Sequence, residues 1–156
     1  MLQRNRAAFC CLLGLLIGLG LRPVCAGEGA DRLFQEGLQA YADERFAEAV
    51  VAFEKALQMA PDTAEYHRWL GKAYGRRAQQ VFILRAALLA QKTRQHFERA
   101  VELEPENVDA LMNLLEYYSK APVLLGGGRK KALALAARIE AIDTQLGIRA
   151  QAILNE

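Results

Sequence analysis

Residues 37–61 read GLQAYADERFAEAVVAFEKALQMAP. Phe46, Ala49, Val50, Phe53, Ala56 and Leu57 recur at steps of three and four, the stripe of a helix that buries one face. Pro61 ends that helix. The Pro61-Asp62-Thr63-Ala64-Glu65 run that follows joins a stop to a new start: Asp62 or Thr63 is placed to cap, and Glu65 to complete a capping box from Asp62. The second half of the stretch returns as HFERAVELEP, residues 96–105. Both copies carry Phe-Glu-(Lys/Arg)-Ala, an apolar residue, and Pro five residues after the Ala. Gly37, Ala49, Ala56 and Gly71 are small enough to let paired helices approach closely. No alternating strand pattern of useful length occurs, so the expectation is an all-α chain built from a repeated helix pair.

Upstream of the second copy lies AEYHRWLGKAYGRRA, residues 64–78. With Leu70, Gly71 and Tyr74 in that segment, the chain resembles the tetratricopeptide repeat, a 34-residue helix pair written W-x₂-L-G-x₂-Y…A-x₃-F…P. In the first repeat Gly37, Ala49, Phe53, Ala56 and Pro61 take the pattern positions. In the second, Leu70, Gly71 and Tyr74 fit the first helix, and Phe97, Ala100 and Pro105 the second. His67 stands where Trp is typical and Thr93 where Ala is. A third repeat starts at Val108, with Leu111, Leu114 and Tyr118 in its first helix; its second helix, from about Lys130 to Asp143, departs from the pattern and has no closing Pro. The resemblance implies a short tetratricopeptide-type helical solenoid of about three helix pairs, over residues 30–63, 64–107 and 108–143. Residues 146–155 then form a capping helix for the last exposed face. Phrases such as WLGKAYGRRA, FERAVELEP, LLEYYSKAP and GGGRKKA are also similar to a group of small exported bacterial tetratricopeptide proteins with no assigned reaction.

The first 26 residues read as a targeting segment. Arg4 and Arg6 precede an uncharged run from Ala7 to Leu21, about fifteen residues and so the length of a signal-peptide core rather than of a membrane span. Pro23 breaks the run, and Val24-Cys25-Ala26 suits cleavage after Ala26. The expectation is a signal peptide over 1–26, a helical-repeat domain over 27–156, and a periplasmic or secreted product. A lipidated Cys25 or an uncleaved anchor is the alternative, so membrane association is expected only through this segment. Removing the segment takes away all three cysteines, Cys10, Cys11 and Cys25, which leaves no disulfide or thiolate metal site. It also leaves 17 Lys and Arg against 18 Asp and Glu, a balance that gives no reason to expect nucleic acid.

The repeats are not evenly spaced. Ala64 to Pro105 is 42 residues where the family pattern would use 32, and the excess falls around Gln79–Ala90. Val108 to Ala132 is 25 residues where 20 would do, and the insertion is APVLLGGG. Both fall at the turn between the helices of a pair, and equivalent turns of a solenoid stack along one edge. The expectation is that the first insertion lengthens its helix and that Val123, Leu124 and Leu125 pack over it. Truncating a buried Leu there would then cost about 2–5 kcal/mol. Gly126–Gly128 read as a tight return after Pro122. The Gly-x₄-Gly-Lys-(Ser/Thr) phosphate loop is not met, since Ala132 follows Lys131 and a helix precedes the loop. Anion or small-ligand binding at 126–131 stays open as the second reading.

No catalytic, cofactor or metal constellation is found. His67 and His96 are the only histidines, Ser119 is the only serine, and the carboxylates are spread along helix faces. The expectation is a non-catalytic protein–protein interaction module, with an enzyme using the Gly-rich edge as the competing class. The resemblance places the first helix of each pair along a groove. It implies groove positions at Phe34, Leu38 and Tyr41, at Arg68, Lys72 and Arg76, and at Asn113 and Glu116. The family's carboxylate clamp is not met: Phe34 and Leu38 replace its polar residues, Asp109 replaces a Lys, and Asn113 alone is compatible. The expected partner is a peptide with an acidic and an apolar element, although Arg68, Lys72 and Arg76 also read as a solvated stripe beside Glu65.

Overall fold

The computed structural model describes residues 26–155. Cys25 and the apolar run before it lie outside the described residues. Seven helices follow one another among them: α1 (Ala26–Ala42), α2 (Phe46–Met59), α3 (Ala64–Ala78), α4 (Ile83–Leu103), α5 (Val108–Lys120), α6 (Arg129–Ile142) and α7 (Thr144–Leu154). A single 3-10 turn, Val123–Leu125, lies between α5 and α6. The helices pack as pairs, α1 with α2, α3 with α4 and α5 with α6, and α7 closes on α6. The first helices of the pairs also touch in a row, α1 to α3 and α3 to α5.

The repeated motif has a steric cause. A Cβ on Gly37 would lie 2.5 Å from the Phe53 ring, and one on Gly71 would lie 2.6 Å from the Phe97 ring. Each Phe of a second helix therefore fills the notch left by a Gly of its partner. Ala49 and Ala56 are fully buried in one core cluster with Phe53, Leu70 and Tyr74, and Ala100 in the other with Phe97. The Glu that follows each Phe has its own role. Tyr74 donates to Glu54, and Tyr118 donates to Glu98 Oε1 at 2.7 Å. The hydroxyl of each following repeat is thus tied to the repeat before it, and burial together with the carboxylate pushes both phenols up. Tyr66 makes a further tie to Asp31 and is pushed up to about 12, chiefly by burial.

Two of the expected caps differ. Thr63 is the N-cap of α3 but makes no side-chain bond there. Asp62 accepts instead from Arg99 at 2.8 Å, and Glu65 from Arg68 and the Trp69 indole. Guanidinium donors outcompete neutral amides for a carboxylate. Asn107 does cap α5, accepting from Ala110 N at 3.1 Å, and Asp143 caps α7 in the same way at 3.0 Å.

The first insertion becomes extra helix, giving α4 21 residues against 14 in α2. The 3-10 turn lies against α4, so the two insertions are neighbours. The expected apolar packing between them is corrected. Val123 is 82% exposed and Leu124 92%, and Leu125 alone is half-buried. The turn is too short to bury consecutive residues on one side. Its seat is polar, with Tyr117 Oη donating to Leu125 O at 2.9 Å and Gly126 lying over Arg94. Leu124→Ala is therefore expected to move the urea unfolding free energy by less than about 0.5 kcal/mol, as for surface changes.

The three glycines differ. Gly126 takes φ 87°, in the left-handed region. Gly127 passes so close to α5 that a Cβ would lie 1.8 Å from Ala121 O, whereas Gly128 has open space around it. Their amides are spent on Val123 O, Pro122 O and Tyr118 O at 2.9–3.2 Å. The loop is thus held as a return turn, with none of these three N–H groups left to face an anion.

Candidate groove between the first helices

A cleft of about 370 Å³ lies between α3 and α5 and opens toward the inserted turns. Lys72, Gly75 and Arg76 line it from α3, and Asn113, Glu116, Tyr117 and Lys120 from α5. Ala90, Thr93 and Phe97 contribute from α4, and Pro122 and Leu125 from the turn. Five of the residues expected in a groove meet here: Tyr41, Lys72, Arg76, Asn113 and Glu116.

The other three do not line the cleft. Phe34 is only 7% exposed, stacked on Tyr66 with centroids 4.6 Å apart and tilted on Phe53 at 5.5 Å. It is a core residue, because the Gly37 notch draws Phe53, and Phe34 with it, inward. Leu38 is half-buried against the same core. Arg68 lies on the α5 side of α3 with little exposure, held by two hydrogen bonds to Glu65 at 2.7–2.9 Å and a contact to Asp109 at 3.9 Å. Its neighbour Arg68 is the chief cause of the lowered Glu65 carboxyl. In part, then, the four-residue stripe is a face paired within the chain, with Arg68 largely shielded from solvent.

Lys72 is held differently. Its ammonium sits 3.7 Å from the Trp69 ring centroid and 5.6 Å from that of Tyr41. Trp69 is fixed in turn by its Nε1 donating to Glu65 at 2.7 Å and by its edge contact with Tyr41. Burial, followed by repulsion from Arg68, draws the Lys72 ammonium below its usual range. Arg76 lies over Phe46 at 5.1 Å and reaches Glu44 at 4.0 Å. Asn113 donates to Asp109 O at 2.7 Å and Lys120 to Glu116 at 2.7 Å. The cleft therefore has a cationic rim on an aromatic shelf and an apolar floor, with its donors already oriented. Tyr117 and Leu125 were not legible as wall residues, because their place depends on how the second insertion folds back.

The chain can now be set beside known proteins. Residues 37–77, from the notch glycine of α1 to the end of α3, match the family model described as TPR repeat. Over this stretch the chain carries the tetratricopeptide repeat. The Arabidopsis OM64 TPR domain superposes with a TM-score of 0.65 at 18% identity, covering 84% of this chain and 98% of that one. The first TPR of Spaghetti (RPAP3), solved bound to the HSP90 peptide SRMEEVD, gives 0.61 at 14% identity, covering 83% and 96%. At these identities the likeness is one of fold. The comparison with curated proteins found no match. In tetratricopeptide terms the cleft lies on the row of first helices.

A second polar cluster lies on the other face. His67 and His96 bring their Nδ1 atoms to 2.9 Å, with rings stacked at 5.1 Å. His67 Nε2 lies 2.9 Å from Pro61 O, an acceptor only, so that nitrogen carries the proton and His67 Nδ1 accepts from His96. Burial, then repulsion from His67 and Lys92, draws His96 down to about 4; burial also lowers His67. Both rings are thus neutral at pH 7. As pH falls from about 6.5 to about 4 the unfolded chain binds a proton that folded His96 refuses, so stability falls across that window and levels off below it. Discounted for partial solvent screening, the loss is about 1–2 kcal/mol. Urea unfolding of wild type and His96→Gln across that window checks it: the wild type should lose more, and parallel losses would remove His96 as the cause.

Proposed function

We propose that this chain is an exported, non-catalytic interaction module that binds a peptide segment of a partner protein in the cleft between α3 and α5. The observation that carries the reading is the pairing of the oriented Lys72 and Arg76 with an apolar floor that includes Phe97 and Leu125. A carboxylate meets the rim, and an apolar side chain is buried below it. The Spaghetti domain, bound to a peptide containing Glu-Glu-Val-Asp, supports peptide binding on such a fold. The residues here differ from a carboxylate clamp, so the preferred sequence is expected to be its own. A cleft of this size favours weak binding, on the order of micromolar.

Selection from phage-displayed random heptapeptides tests it. The chain should enrich sequences with an acidic residue and a large apolar one, and Lys72→Glu with Arg76→Glu should abolish that enrichment while α-helical circular dichroism is retained. Enrichment that the pair leaves unchanged would move the interface elsewhere.

Export rests on residues 1–26. Cleavage after Ala26 would cost α1 only its first residue. The intact mass of the exported chain should correspond to a start at Gly27, and a lipid-modified Cys25 would overturn a soluble product.

A further inference from the structure

The two insertions leave their apolar side chains in solvent. Phe82, Ile83, Leu84, Leu88, Val123 and Leu124 are 64–93% exposed. The first buried residue of α4 is Leu89, so the opening turns of that helix stand beyond the core. None of the six lines the α3–α5 cleft. Six large apolar side chains at such exposure, at the start of α4 and on the turn that contacts α4, call for an occupant.

Charge identifies the occupant. Residues 76–94 carry five Lys and Arg and no Asp or Glu, and residues 120–131 carry four and none. The rest of 27–156 holds eight Lys and Arg against 18 Asp and Glu. The chain is nearly neutral as a whole, and its surplus of positive residues lies in the segments that carry the apolar tips; Arg76, Lys92, Arg94 and Lys120 there are paired with carboxylates, and Arg76 and Lys120 face the cleft. Arg85 and Lys130 are exposed there and make no ion pair among the described residues.

We propose that this edge docks on an anionic lipid surface, the apolar tips entering the headgroup boundary and the cations meeting lipid phosphates. Apolar residues beside Lys and Arg at a helix end are the chemistry of interfacial attachment, in which area and charge add. The tips protrude, which suits a fluid medium that closes around them. A second copy is disfavoured, because a two-fold contact would set the same net-cationic segments, with Arg85 and Lys130, against each other. No helix among the described residues is long and apolar enough to cross a membrane, so this edge attaches without spanning.

Flotation of the full chain with vesicles tests it, using phosphatidylcholine alone and phosphatidylcholine mixed with phosphatidylglycerol. Both arms carry the same N-terminal segment, so any attachment through it is common to every variant. The chain should float at least about tenfold more with the anionic vesicles, and added salt should reduce the difference. Arg85→Gln with Lys130→Gln should lower anionic partitioning about tenfold or more. Leu84→Asp with Leu124→Asp should reduce it to the level on neutral lipid, with helical circular dichroism unchanged. Equal flotation by wild type and both variants would overturn the proposal. So would a failure to float with anionic vesicles when the same variants abolish either self-association in sedimentation or retention on immobilised polyglutamate, which would assign the edge to a second copy or to an acidic protein.

Discussion

Phe53→Ala is expected to lower the unfolding free energy by about 3–5 kcal/mol, the usual cost of emptying a buried aromatic site. Phe53 has no solvent exposure and sits in the notch of Gly37, against Phe34 and near Trp69. Its loss would open a cavity between α1 and α2 and loosen the shelf that carries Lys72. The converse change reports on the same contact. Gly37→Ala would place a Cβ 2.5 Å from that ring and cost about 1–3 kcal/mol by overpacking. Gly37→Ala combined with Phe53→Leu should cost less than the two single changes added, because the smaller side chain makes room. Urea unfolding of the four proteins checks this, and strict additivity would mean that notch and ring are not coupled.

Gly127→Ala is the second large effect. Its Cβ would fall 1.8 Å from Ala121 O, a backbone atom that cannot turn aside. The loop would have to lift from the end of α5, breaking Gly127 N to Pro122 O and Gly128 N to Tyr118 O. The expected cost is about 3 kcal/mol, the upper part of the overpacking range. Gly128→Ala is its control: space is open there and the backbone is extended at φ 164°, so the change should stay within about 0.5 kcal/mol. Equal effects at the two positions would show that the loop is not seated on α5.

What could be read from the sequence follows the range of each interaction. The helix stripe and the Gly and Phe positions are local or periodic and belong to the core, and the ten-residue excess before Phe97 is a matter of spacing. The lengthened α4 also followed from spacing alone. The glycine loop was legible as a turn, but the reason differs at each glycine, and only Gly126 needs the left-handed backbone. The missed features need tertiary placement. Position in the repeat places Phe34 in the groove, yet the ring turns inward to Phe53 and Tyr66. The His67–His96 contact joins residues 29 apart with no spacing signal. Leu124 reads as buried because it is apolar, although nothing in the sequence shows that a one-turn insertion has no second layer to bury it.

The proposed binding surface is the cleft between the first helices. Amide chemical-shift mapping tests it most directly, with the uniformly labelled chain titrated with a peptide selected as above. The largest shifts are expected at Lys72, Gly75, Arg76, Asn113 and Tyr117, together with loss of binding in Lys72→Glu with Arg76→Glu. Shifts centred instead on the exposed faces of α2 and α6, with those five positions unmoved, would contradict it.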